Sequence, residues 1–334
     1  MSRPALSILF AFALIVLLLV LVPEAVLAAF AGAMLAVGWR RAAVWMRHRT
    51  GLPLWATLTV VPVALVALLV ATGVFAAPVI ADEARLLAEQ FPQAVAAVQE
   101  RIAGYPWLND MIQRLDTSSL ASAGKEAAGT ATAVLGNIFG GLGTTVTVAL
   151  LAIYAAADPR VYRLGIVALA APTIREDADR LVSSSADALS AWLGAQLVAM
   201  AVVGLLTWVG LLLLGVKLSA VLALITALLT FIPVLGPVMA AVPAVVLALA
   251  DSPALAVQVA LLYVGVQAVE GNLVTPMLQS HAVDMPPALL LLMQLVLGTL
   301  FGLLGLVVAA PLTAVAIAAG RDVYVKRWLE RREG

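Results

Sequence analysis

From Ala188 to Gly320 the chain carries only four formal charges, Lys217, Asp251, Glu270 and Asp284. Between them lie apolar runs that reach or exceed about 20 residues, the length of helix that crosses a hydrocarbon layer about 30 Å thick. Of the 334 residues, 63% are hydrophobic and 11% charged, so the rest of the chain cannot supply the polar surface needed to enclose that stretch in water. Nor do the runs alternate polar and apolar, as strands of a membrane barrel do. The expected fold class is all-α: a polytopic membrane helical bundle of about eight transmembrane helices.

Basic clusters orient the spans, because short loops rich in Lys and Arg stay in the cytoplasm. Arg40, Arg41, Arg47 and Arg49 form one cluster, Arg160, Arg163, Arg175 and Arg180 a second, and Arg321, Lys326, Arg327, Arg331 and Arg332 a third. Two spans before the first cluster meet at Pro23 and Glu24. Two more, about 54–80 and 134–157, precede the second, and four, about 189–214, 219–250, 254–270 and 287–320, precede the third. Eight crossings put every cluster, and both termini, on the cytoplasmic side. Arg3 followed by an apolar run and Val26, Leu27 and Ala28 imitates a secretory leader, but the run exceeds the roughly 7–15 residues usual for one. Glu24 reads as a solvated carboxylate at a helix start.

Composition divides the chain into spans one to three (1–80), a polar amphipathic helical subdomain (81–133), spans four to eight (134–320) and a basic tail (321–334). In the subdomain, residues 82–132 hold seven acidic and four basic residues. Leu87, Phe91, Val95, Val98, Ile102 and Tyr105 recur at spacings of three and four, which is one helical face. Pro92 is expected to open a new helix there, since its ring fits a first turn. That apolar face reads as a packing surface rather than a ligand site.

Two features of the apolar half point to chemistry. Pro233 and Pro237 lack an N–H, and with Gly236 they break the sixth unit near its middle, where freed carbonyls need protein or water rather than lipid. Transporters place sites at such interrupted helices; a plain kink is the competing reading. The second feature is Glu270, because a carboxylate at membrane depth is costly and marks a functional site. Tyr263, Gln267 and Glu270 are spaced four and three apart on one face, and Gly271, Asn272 and Thr275 follow before Pro276 stops the helix. Such a patch of acceptors, amides and hydroxyls suits a small hydroxylated solute or a hydrated monovalent cation. Gln294 stands alone on the last span, facing either a pathway or a neighbouring helix. Gly298, Gly302 and Gly305, like Gly136 and Gly140, offer close helix packing.

Other functions lose on residue inventory. Zero net charge argues against nucleic acid. Cysteine is absent, and His48 and His281 are too far apart for a zinc helix, so no metal or cofactor is expected. No G-x-S-x-G elbow occurs, and Gly124–Lys125 lacks the rest of a phosphate loop, so the chain is not expected to be an enzyme.

Three runs then carry a resemblance: Phe231, Ile232, Pro233, Val234, Leu235, Gly236 and Pro237; Glu270, Gly271, Asn272, Leu273, Val274, Thr275 and Pro276; and Phe301, Gly302, Leu303, Leu304 and Gly305 with Pro311. Their order and spacing resemble the C-terminal signature of the AI-2E (autoinducer-2 exporter) family, also called PerM-like permeases. The resemblance implies a multi-pass permease of a bacterial inner membrane, a homo-oligomer, that exports autoinducer-2 or exchanges sodium for protons. A basic residue usual in the family after the motif proline is replaced here by Met277, which removes a partner for Glu270. The leading expectation is a secondary transporter exporting a small polar solute; the alternatives are a Na⁺/H⁺ antiporter and a non-transporting scaffold.

Overall fold

The computed structural model describes residues 13, 17, 18, 21–102, 142–274, 276 and 285–321. Most of the first span, residues 103–133 of the polar subdomain, Gly136, Gly140, Thr275, Met277, His281, Asp284 and the tail after Arg321 lie outside the described residues. Among those described, every regular element is a helix, and by length and composition four are long and apolar enough to cross a bilayer, counting the last, Pro287–Gly320, as one continuous element. The protein is a multi-pass membrane protein of the all-α class.

Helix α1 (Pro23–Thr50) begins with proline in its first turn and runs on through the first basic cluster, which was expected as a loop. Arg47, His48 and Arg49 fill its last turn, where cations complement the partial negative charge of the helix end. Gly51, at φ 72°, then stops it with its N–H donating to the Arg47 carbonyl at 2.8 Å. Helix α2 (Leu54–Ile102) has 49 residues, about 74 Å at 1.5 Å per residue. It passes through Pro92 without a break, contrary to the expected new start. Leu87 and Phe91, both fully buried, anchor the turn before the proline in a core, and that packing outweighs one missing hydrogen bond.

Helices α3 (Leu142–Ala157) and α4 (Pro159–Ala168) are separated by Asp158, whose carboxylate accepts from the Arg160 N–H at 3.2 Å. A 3₁₀ turn (Pro172–Ile174) leads into α5 (Arg175–Leu213), which opens with Glu176 and Asp177 at its positive end. Helices α6 (Ser219–Leu229), α7 (Leu235–Asp251) and α8 (Pro253–Val269) follow, with Ser252 accepting from the Leu255 N–H at the start of α8. The last element, α9 (Pro287–Gly320), changes direction at Gly302 (φ 60°, ψ −139°).

The broken sixth unit is a hairpin rather than a single interrupted crossing. Residues seven apart in a straight helix stand about 10 Å apart, yet a Cβ placed on Gly236 would overlap the Leu229 carbonyl. Leu218, Val221, Leu222 and Ile225 of the α6 arm share a core with Ala240, Ala244 and Ala248 of α7. The reversal passes through Val234, whose φ of 69° is a genuine outlier for a β-branched residue. With 11 residues, about 16 Å, α6 is too short to cross a membrane.

The eighth span is also two arms. A Cβ on Gly298 would meet the Leu306 side chain at 2.8 Å, and one on Gly305 would overlap the Leu297 carbonyl. Eight residues along a straight helix measure about 12 Å, so the chain folds back at Gly302. Gly298 and Gly305 therefore serve close packing inside this hairpin.

By Cα proximity the chain forms two compact units, each assembled from separate stretches. One comprises 1–67, 142–195 and 278–334, the other 68–141 and 196–277. In the first, Ala36 of α1 is buried with Ala152 and Ala156 of α3, Trp39 Nε1 donates to the Leu58 carbonyl at 3.0 Å, and Arg40 donates to the Ala156 carbonyl at 2.9 Å. The guanidinium thus satisfies one of the orphan acceptors at the end of α3. In the second, the N-cap position before α6 is Leu218, whose side chain makes no capping hydrogen bond. Glu83 of α2 supplies the cap: its carboxylate accepts from the Val221 N–H at 2.8 Å.

Candidate functional site

The second unit holds the Glu270 region. Helix α8 is regular up to Val269 and then widens into a π-helical segment, Glu270–Val274. Such local widening shifts the hydrogen-bond ladder and is frequent at functional sites. The Gln267 Nε2 donates to a Glu270 carboxylate oxygen, and the Asn272 Nδ2 donates to the Ala268 carbonyl at 2.8 Å. Glu270 is half-buried, whereas Gln267, Gly271 and Asn272 are exposed. The amide of Gln267 therefore orients the carboxylate without neutralising it, and leaves its remaining lone-pair sites for a proton, a cation or a hydroxyl donor.

Tyr263 shares the helical face of Glu270 but not its exposure. It is 8% exposed and packs in the core with Leu222, Ala256 and Val259. Its Oη lies 2.9 Å from Thr226 Oγ1, and Thr226 Oγ1 is also 2.7 Å from the Leu222 carbonyl. Since a hydroxyl has one proton and Thr226 gives its own to Leu222, Tyr263 is the donor. The face is thus divided between a sequestered phenol and, about 10 Å further along the axis, a half-buried acid.

Thr226 leads to a polar seam that sequence reasoning did not single out. Thr230 Oγ1 donates to the Thr226 carbonyl at 2.7 Å, and Gln196 Nε2 of α5 donates to the Thr230 carbonyl at 2.5 Å. Thr226 and Thr230 are both 1% exposed. The seam ties α5, α6 and α8 together and ends one residue before the Phe231–Pro237 reversal, where Pro233 and Pro237 are half-buried and Gly236 is buried. Its signal was present: two threonines four residues apart in an apolar run, and a lone glutamine in the fifth span.

Gln294, expected as a pathway or packing residue, belongs to the first unit and is fully buried. Thr275 is outside the described residues, and Pro276 is exposed. Among the described residues, no group of three or more His, Cys, Asp or Glu side chains is placed to hold a metal ion.

Residues 6–324 match the profile of the AI-2E family transporter. The chain belongs to this family. Within curated proteins it is 27% identical over 207 residues to YueF of Bacillus subtilis, covering 62% of this chain and 56% of that protein. It is 29% identical over 132 residues to YhhT of Escherichia coli K12, covering 39% of this chain and 35% of that one. Both carry the name "Putative transport protein". The alignments span about half or less of these relatives' length. The AI-2E profile takes in the α6–α7 hairpin, Glu270 and the Gly302 reversal, the three runs whose residues suggested the family.

Proposed function

We propose that this AI-2E family member is a permease of a bacterial inner membrane that exports a small polar solute such as autoinducer-2 by secondary transport, without enzymatic activity. The observation that carries the reading is Glu270: a half-buried carboxylate held by Gln267 at a π-helical break in a helix otherwise apolar around it. A hydroxylated solute offers donors to that carboxylate, and Glu270 is the group through which a proton could be coupled. The same carboxylate supports a second reading, Na⁺/H⁺ antiport, in which Glu270 exchanges a proton for sodium.

Both termini on the cytoplasmic side is the orientation we favour. A single hairpin in place of a crossing would leave the basic tail opposite Arg40 and Arg41. Two hairpins, α6–α7 and the arms of α9, remove two crossings and restore the parity that the basic clusters ask for.

The test is reconstitution in liposomes, following labelled autoinducer-2 and internal pH under a sodium gradient, with wild type beside Glu270→Gln. Solute flux that drops at least about tenfold in the variant supports export. Sodium-dependent proton flux lost in the variant, without solute flux, replaces export by antiport. Neither flux in wild type overturns both readings in favour of a scaffold or of a different substrate.

A further inference from the structure

Helix α6 begins two residues after Lys217, an exposed charge that hydrocarbon would not solvate, and runs about 16 Å to Leu229. Half of a layer about 30 Å thick is about 15 Å, so the reversal between Phe231 and Pro237 lies close to mid-membrane. Backbone outside a helix at that depth must find its hydrogen bonds within the protein or a cavity. Here it finds one through a strained turn. The Leu235 N–H donates to the Pro233 carbonyl at 2.9 Å, and Val234 between them has φ 69° and ψ −58°. That bond across those angles is a γ-turn of the positive-φ kind, the rare and strained form.

A β-branched residue holds such angles only where its surroundings over-determine them. Val234 does not hold itself, because its side chain is 44% exposed. The clamps are its neighbours. Ile232 is buried, its carbonyl accepts from the Gly236 N–H at 2.9 Å, and Gly236 lies so close to the Leu229 carbonyl that no Cβ fits. On the α6 side, Gln196 of α5 donates to the Thr230 carbonyl, and Thr230 Oγ1 donates to the carbonyl of Thr226, the partner of Tyr263 on α8. The polar seam thus ties the turn to the helix whose C-cap is Glu270.

We infer that the Val234 turn is a strained two-state latch, closed here, which opens by taking Val234 to negative φ and releasing the Leu235 N–H, and that this opening gates the passage of solute. Strain placed at an exposed residue and held by its neighbours makes a bistable element, since loosening one clamp lets the residue relax. The gating role rests on the export reading above; the latch does not.

Glycine adopts positive φ without the steric penalty, so Val234→Gly favours the closed turn, whereas Val234→Ala removes the branched side chain but keeps a Cβ. Between Pro233 and Pro237 only Val234, Leu235 and Gly236 carry amide protons, so hydrogen–deuterium exchange in that interval reports the turn. It is followed by mass spectrometry on the full chain in nanodiscs of phosphatidylcholine and phosphatidylglycerol. In wild type these amides should exchange faster than those of Ala240–Ala244 inside α7. Val234→Gly should slow them about five- to thirtyfold, and Val234→Ala should stay within about twofold of wild type. Gln196→Leu, which removes one clamp, should speed them about two- to tenfold. Efflux of labelled autoinducer-2 from liposomes should fall in Val234→Gly in step with exchange.

No exchange in wild type, unchanged exchange in Val234→Gly or Gln196→Leu, or slowing by alanine as large as by glycine overturns the latch. Exchange that slows in Val234→Gly while efflux stays the same overturns the gate. If wild type carries no autoinducer-2, the export reading fails and the gating role with it, while exchange still decides the latch.

Discussion

Tyr263 donates its phenolic proton to Thr226 at 2.9 Å, and Thr226 passes its own to the Leu222 carbonyl at 2.7 Å. The chain of donors is directional, so its two members are not equivalent. Tyr263→Phe leaves Thr226 still bonded to Leu222 and should cost about 0.5–1.5 kcal/mol. Thr226→Val strands a buried phenol and should cost about 1–3 kcal/mol. The double variant should cost less than the sum of the two. Thermal unfolding in detergent measures all three, and equal, additive losses would mean the hydrogen bond is not made.

Glu83 acts on α6 from 138 residues away in sequence. Glu83→Ala should destabilise by about 0.5–2 kcal/mol, as loss of a helix cap does. Glu83→Gln keeps an acceptor for the Val221 N–H and forgoes only the charge at the helix start, about 0.3–1 kcal/mol. If the two variants melt together, the carboxylate is not the cap.

The glycines should separate by position. Gly302→Ala places a Cβ at φ 60°, ψ −139°, a region open almost only to glycine, and Gly236→Ala drives a Cβ into the Leu229 carbonyl. Each should cost about 3 kcal/mol or more. Gly265→Ala, in α8 with open space around the new methyl, should instead stabilise by about 0.5–1 kcal/mol. Val234→Gly tests the converse: relief of the strained turn should raise the melting temperature. Equal effects at 302 and 265 would refute the hairpin in α9.

The Arg163 guanidinium, by hydrogen bonding, holds the Asp179 carboxyl below its ordinary value of 3.8. A depressed folded-state value means the pair stabilises the fold above that ordinary value and loses the contribution as pH falls through the folded one. Both groups are exposed, so the effect is small. A pH titration of melting temperature should show a steeper acid loss in wild type than in Asp179→Asn; identical slopes would show that the pair contributes nothing.

How far the site was legible follows from what each residue depends on. Glu270 and Gln267 lie three apart on one helix, so their contact was readable from helical spacing alone. Tyr263 carries the same spacing, but whether a tyrosine on that face meets solvent or Thr226 depends on where α6 lies. Pro233, Gly236 and Pro237 announced a break, because missing N–H groups are local facts. The direction taken after the break was not local.

By itself, the sequence determined the membrane class, the helical backbone and the family. Those follow from apolar length, charge scarcity and motif order, which neighbouring residues carry in one dimension. Only the tertiary structure decided that two expected crossings are hairpins, that Glu83 caps α6, and that Tyr263 is sequestered while Glu270 stays half-exposed. The cap and the buried phenol depend on contacts between residues far apart in the chain, and the hairpins on reversals at Val234 and Gly302; helical periodicity says which side a residue faces but not what stands there.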